Sequence, residues 1–165
     1  MTGLSETEHR LLEIAFVVTD LDFLVIDEYQ QIIFQDETAL TKMDAFVANI
    51  HTKSGLLGKI SSGLKTQEVD SQARAFIDLH FPTTERIVLA GNSVGNDKRF
   101  IDVWMPKVAE RLHYRIIDVS SFKEIFRSKY GIEFQKKGTH SAHTDIHESI
   151  AELKHYLSFV HAPNI

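Results

Sequence analysis

Ile87-Val-Leu-Ala-Gly91-Asn-Ser-Val-Gly-Asn-Asp97-Lys-Arg-Phe100 changes its period part-way along. The first four residues form a short apolar run, as a buried strand does. Gly91-Asn-Ser then marks a turn where backbone N–H groups leave the strand ladder. From Asp97 onward the chain reads as a helix, which Pro106 interrupts or restarts. A strand feeding a helix through a tight turn is the unit of an α/β domain.

The same alternation extends in both directions. Upstream, Leu12–Thr19 is apolar and β-branched, and Val25–Phe34 is a second strand candidate. Leu21-Asp-Phe23 is the turn of the resulting hairpin. Asp36–Ile50 reads as loop, then helix. Thr66–His80 is a helix with Val69, Ala73, Phe76 and Ile77 on one face. Downstream, Ile116–Val119 is a short strand, and Ser120 is a natural N-cap for a helix over Phe122–Tyr130. The last helix carries Ile146, Ile150, Leu153 and Leu157 at helical steps. No repeat, linker or low-complexity stretch divides the chain. The expectation is one α/β domain over residues 1–165, a mixed sheet flanked by helices.

Composition narrows the function. With 165 residues, 43% hydrophobic and 25% charged, the chain is long enough for a sizeable core and too apolar to be disordered. No apolar run approaches the roughly 20 residues that span a bilayer. The start, Met1-Thr-Gly-Leu-Ser-Glu-Thr-Glu, lacks the pattern of a secretory signal. Cysteine is absent, which excludes disulfides and thiolate metal sites and fits a cytoplasmic location. The net charge of −5 argues against a large duplex-binding surface. A nucleic-acid substrate would be short and held locally.

The chemistry-bearing residues gather in two segments. Gly138-Thr-His-Ser-Ala-His-Thr-Asp145 places His140 five residues ahead of Asp145. Five helical residues turn through about 140° at ~100° each, so the two converge only if His140 lies on the approach loop. Asp97 is the second carboxylate. Two such acids can help hold divalent metal, and a neutral imidazole beside them can deprotonate water. Each also has a plain structural reading as a first-turn acid favoured by the helix dipole. Gly91-x3-Gly95 is not a phosphate loop, because the lysine and hydroxyl that complete one are missing. His113-Tyr-Arg115 precedes a strand; its arginine suits a phosphate and its tyrosine a base, or the two are an ordinary edge residue and a half-buried aromatic. His51 suits base stacking or a simple helix end. His143 and His147 have the i, i+4 spacing of zinc ligands, with His140 and Glu148 nearby. The segment nevertheless misses the metalloprotease motif, and a zinc site is not the favoured reading.

Taken as an ordered set, these segments resemble the oligoribonucleases, 3′-to-5′ exonucleases of very short RNAs in the DEDDh group of the ribonuclease-H-like fold. The carriers are Met1-Thr-Gly-Leu4, Leu12-Glu-Ile-Ala15, Met43-Asp44 and His51-Thr-Lys-Ser-Gly-Leu56. They continue with Gly91 to Phe100, Trp104-Met-Pro106 and His113-Tyr-Arg-Ile-Ile-Asp-Val-Ser120. Lys123-Glu124 follows, then Gly138-Thr-His140 through Asp145-Ile-His-Glu-Ser149. The resemblance spans essentially the whole chain.

It implies a ribonuclease-H-like mixed sheet, a homodimer, short single-stranded RNA as substrate, and two Mg²⁺ or Mn²⁺ ions. Asp97 and Asp145 correspond to metal ligands and His140 to the general base. Leu4 corresponds to a wedge between two bases, and His51 to a base contact. Tyr114 corresponds to a residue lent to the partner's site, and Ser93, Arg115 and Ser120 to a cap on the 5′-phosphate. Phe46 stands where the family has a tryptophan, and Glu13 matches a structural glutamate. The family's first motif is Asp-x-Glu-Met-Thr-Gly-Leu, and the sequence here starts at its Met. The resemblance therefore implies a chain lacking two carboxylates and a central first strand, with low stability and impaired activity. A non-catalytic dimeric nucleotide-binding remnant is the alternative.

Overall fold

The computed structural model describes residues 1–135 and 142–160. A hairpin comes first, with β1 over Glu13–Thr19 and β2 over Val25–Ile32. The strands pair antiparallel with Ile14 opposite Gln31 and Phe16 opposite Tyr29. At the hairpin tip the Asp20 carboxylate accepts the N–H groups of Asp22 and Leu24, at 2.9 and 2.8 Å. This side-chain turn holds Phe23 at a φ of 61°, unusual for a residue other than glycine.

Two helices follow, α1 (Glu37–Leu40) and α2 (Ala45–Lys53). Asp36 and Asp44 cap them by accepting from Ala39 N and Val47 N. A 3₁₀ turn over Leu57–Ser62 leads to α3 (Thr66–His80). Then come β3 (Ile87–Gly91), α4 (Val94–Trp104), α5 (Pro106–Ala109) and β4 (Leu112–Asp118). Pro106 occupies the first turn of α5, where its missing N–H costs nothing. The chain closes with α6 (Val119–Tyr130) and α7 (Ala142–Leu157).

The domain is α/β, with small sheets flanked by helices. Antiparallel and parallel pairings are both present, but they form two ladders rather than one. β1 pairs with β2, and β3 runs parallel to β4 through Leu89–Ile116 and Gly91–Asp118. Among the described residues no strand bridges the two pairs. Side-chain packing joins them instead. One core gathers Leu11 and Ile14 beside β1 with Val69, Ala73 and Ile77 of α3 and Phe100 and Ile101 of α4.

Two details differ from expectation for physical reasons. Asp118, not Ser120, caps α6, because its carboxylate accepts the Ser120 N–H at 2.9 Å. The helix thereby starts at Val119. In α7 the buried face is Ser149, Glu152, Leu153 and Tyr156 rather than the purely apolar stripe. Polar bonds, not apolar area alone, seat this helix.

A buried acid also stabilises α5. Asp70 is 3% exposed, and its two oxygens accept Lys107 N at 3.1 Å and Val108 N at 3.0 Å. Removing it orphans two helix-start N–H groups, each costing about 1–3 kcal/mol. Asp70→Ala is expected to lower unfolding free energy by roughly 2–4 kcal/mol in urea titration. A loss under about 0.5 kcal/mol, the range of ordinary surface changes, would contradict this account.

Candidate active site

Residues 1–10 fold into a loop pinned at both ends. Thr2 and Arg10 exchange backbone bonds, with Thr2 N donating to Arg10 O at 2.9 Å. The Thr2 hydroxyl accepts Arg10 N at 2.9 Å, and Thr2 is fully buried. Trp104 donates its indole N–H to Glu6 O at 2.9 Å, while Arg10 stacks over its ring at 4.0 Å. A Cβ at position 3 would fall about 2.4 Å from the His9 ring, so any other residue there would have to displace that ring. The loop presents Leu4 to solvent, 69% exposed. His51, near the end of α2, bonds Met1 O through Nε2 at 2.9 Å. Burial lowers the His51 pKa.

The turn after β3 is a densely hydrogen-bonded polar centre. Ser93 adopts a left-handed φ of 51°. Its N–H is shared between Asp118 Oδ1 and Ser120 Oγ, both at 2.9 Å, and the Ser93 and Ser120 hydroxyls lie 3.2 Å apart. Ser120 Oγ also donates to Asn92 Oδ1 at 3.2 Å. The Asn92 amide donates to Ser149 Oγ at 2.8 Å and Glu152 Oε2 at 2.9 Å. Tyr156 completes the buried chain by donating to Glu152 Oε1 at 3.1 Å. Burial and then the Glu152 charge push the Tyr156 pKa up to about 12, so the hydroxyl keeps its proton.

Asp97 stands in the first turn of α4. The residue is exposed, yet the protein on the inner side of its carboxylate raises its pKa. Desolvation is the main cause, with the Asp118 charge adding to it. The bond from its own backbone and the Met1 amino group act in the opposite direction. That amino group is buried against Asp97 and Glu13. Glu13 in turn accepts Gln30 Nε2 at 2.6 Å and Ala142 N at 3.3 Å. Asp145 lies exposed in the first turn of α7 and accepts the Ser149 hydroxyl at its carbonyl, at 2.8 Å. Asp97 and the start of α7 thus both border the Met1–Glu13 corner. His140 lies outside the described residues.

Beside that corner, a cleft of about 260 Å³ is lined by Glu13, Gln30, Ile32, Ser54, Leu56, Lys59 and His143. Tyr114 projects from β4, 72% exposed, with its ring 4.4 Å from His113 and under the Arg115 guanidinium at 5.2 Å. Ser93 and Ser120 are therefore brought together, and His51 joins the N-terminal loop. No contact links Tyr114 or Arg115 to the serine pair among the bonds described. Sequence reasoning missed Asp118 and the joining role of Asn92. A signal existed, since an Asp two residues ahead of Ser120 is an alternative cap.

A family model described as an exonuclease matches residues 1–153. The probable oligoribonuclease of Schizosaccharomyces pombe is 41% identical over 163 residues, 96% of this chain and 65% of the relative. The oligoribonuclease of Tropheryma whipplei is 42% identical over 161 residues, covering 94% of this chain and 86% of the relative. That of Vibrio campbellii is 40% identical over 162 residues, covering 94% and 88%. The chain belongs to the oligoribonuclease family. It spans just under two thirds of the S. pombe relative and most of each bacterial one.

Oligoribonucleases are hydrolases, 3′-to-5′ exoribonucleases, and the family's chemistry requires a divalent metal. Carboxylate oxygens such as those of Asp97 and Asp145 suit a hard cation. A two-ion site, however, needs about four carboxylates. Among the described residues, Asp97 and Asp145 do not join a third donor in a group tight enough to hold an ion. The donor set described therefore does not fit a complete oligoribonuclease metal pair.

The raised Asp97 pKa has a stability consequence. Its folded value lies above the unfolded one, so the folded state binds the extra proton. Stability is therefore lost as pH rises from the unfolded pKa through the folded one, and the ionised carboxylate is a burden at pH 7. Asp97→Asn, in EDTA, is expected to melt higher than the parent at pH 7. The difference is expected to shrink towards pH 4. Thermal unfolding at both pH values checks this, and a lower melting temperature for Asp97→Asn at pH 7 would refute it.

Proposed function

We propose that this protein is a cytoplasmic 3′-to-5′ exoribonuclease that degrades very short single-stranded RNAs to mononucleotides, with Mg²⁺ or Mn²⁺ as cofactor. The observation that carries the short-substrate reading is the Ser93–Ser120 pair. Two hydroxyls 3.2 Å apart sit at the starts of α4 and α6, four residues before Asp97. Helix starts and hydroxyls favour a phosphate. Asp118 already takes the neighbouring N–H groups, so the hydroxyls and Arg115 are the donors assigned to the 5′-phosphate. An end-group site this close to a catalytic carboxylate acts as a ruler for length.

Leu4 is assigned as the apolar wedge between two bases, held by its pinned loop. His51 is assigned to a base. Asp97 and Asp145 are assigned to metal, and His140 accepts the proton of the attacking water. A metal bound there would supply charge neutralisation at the phosphate and a more acidic water. Tyr114, exposed on β4, is assigned to the partner's site in a homodimer.

Hydrolysis of a labelled RNA dinucleotide with Mn²⁺ tests the reading. The protein is expected to release mononucleotide, and Asp97→Asn and Asp145→Asn to release none. His140→Ala is expected to slow turnover by about 10²–10⁴-fold, the usual weight of general acid–base catalysis. With two aspartates as its described donors, the rate is expected to fall below that of a bacterial oligoribonuclease run alongside. Dinucleotide binding with no turnover at all would favour a binding remnant instead.

The dimer assignment has its own test. Mixing Tyr114→Ala chains with Asp145→Ala chains is expected to restore part of the activity, since one mixed site then holds both residues. Confirmed mixed dimers without restored turnover would place Tyr114 in its own subunit's site.

A further inference from the structure

A second cluster of ligand atoms lies on another side of α7 and plays no part in the activity proposed above. Glu28 of β2 faces His143 and His147, which stand one helical turn apart. Glu28 Oε2 meets His143 Nε2 at 2.7 Å, and Glu28 Oε1 meets His147 Nε2 at 2.8 Å. The two rings lie 4.6 Å apart, tilted by 54°. One ligand atom from each residue falls within 4.8 Å of the other two. We infer that Glu28, His143 and His147 form a Zn²⁺ site that clips β2 to the first turns of α7.

Donor chemistry selects the ion. Two imidazoles and one carboxylate suit Zn²⁺, whereas Mg²⁺ and Ca²⁺ prefer an all-oxygen set. Tetrahedral Zn²⁺ with bonds of about 2.0–2.1 Å separates its ligand atoms by roughly 3.3 Å. The present separations of 2.7 and 2.8 Å are those of hydrogen bonds to two different Glu28 oxygens, so metal binding would part each pair slightly and turn the carboxylate toward an ion held between the rings. Each imidazole would exchange its Nε2 proton for the metal. The three side chains are 35–40% exposed, which leaves an open approach and room for water as the fourth ligand.

The spacing also separates this site from Asp145. That residue is two positions from either histidine, about 200° round the helix, so it points away from them. A bound Zn²⁺ would hold the turn that carries Asp145 without competing for its carboxylate. The i, i+4 histidines are visible in sequence, but the third donor beside them among the described residues is not the nearby Glu148. It is Glu28, 115 residues upstream of His143.

The test uses the full chain, stripped of metal and held in millimolar Mg²⁺, and titrates Zn²⁺ against a chromophoric chelator. One equivalent is expected to bind. Glu28→Gln, His143→Ala and His147→Gln are each expected to weaken binding by at least about tenfold, since even outer-sphere partners are worth 10–100-fold. Co²⁺ substituted at the site is expected to show tetrahedral visible absorption that the His143→Ala chain lacks. Zn²⁺ at a hundredfold excess over Kd is expected to raise Tm by roughly 5–10 °C. Asp97→Asn is expected to leave all of this unchanged, which separates the clip from the catalytic metal. Circular dichroism identifies any variant that fails to fold, and His147→Gln, at an exposed helix position, serves where Glu28→Gln disturbs the hairpin. Three results would overturn the proposal. They are no Zn²⁺ uptake, uptake unchanged in all three folded variants, and uptake lost in Asp97→Asn.

Discussion

The amide of Asn92 is the joint on which the site depends. Its oxygen accepts from Ser120 at the start of α6, and its nitrogen donates to both Ser149 and Glu152 of α7. One side chain at the end of β3 therefore fixes two helices relative to the sheet. The next residue, Ser93, starts α4 and so aims Asp97. Every hydrogen-bonding atom of the Asn92 amide has a partner in a half-buried setting. An apolar residue there would leave Ser120, Ser149 and Glu152 to find new ones at a real cost. Both proposed catalytic aspartates take their direction from this joint, although neither touches it with its side chain.

Much of the fold was readable before any coordinates. The Thr66–His80 helix ends where the apolar period does, and the hairpin turn falls at Leu21–Phe23 as read. Pro106 does restart a helix. What was not readable shares one cause: long-range polar pairing. Glu152 reads as a solvent-side residue of an amphipathic helix, yet it is buried and accepts from Asn92, 60 residues away. Glu28 sits in an alternating strand and shows no sign of facing two histidines. Asp118 was overshadowed by Ser120, an equally good cap two residues later. Local pattern reports which face is apolar, but it does not report which polar group a distant element will supply.

The family's chemistry requires a divalent metal, and the compact donor group among the described residues does not include Asp97 or Asp145. Those two proposed ligands offer hard oxygen donors. The Glu28–His143–His147 group offers a compact borderline set. The two differ in the ions they select and lie on different sides of one helix. An ion held by carboxylates alone and an ion that stiffens α7 would thus be separable by chemistry, since all-oxygen donors favour hard cations and the imidazole-rich set favours Zn²⁺.

The split of the strands into two ladders also bears on how the molecule opens. β1 and β2 share backbone bonds only with each other among the named strands, and so do β3 and β4. Among the described residues no ladder conveys an opening in one pair to the other. Amide protons of the hairpin and of the parallel pair should therefore exchange with solvent as two separate cooperative units, each with its own opening free energy. The contacts of α7 reach both, through Glu13 on one side and Asn92 on the other. That helix, together with the core shared by α3 and α4, sets how far the two units open together.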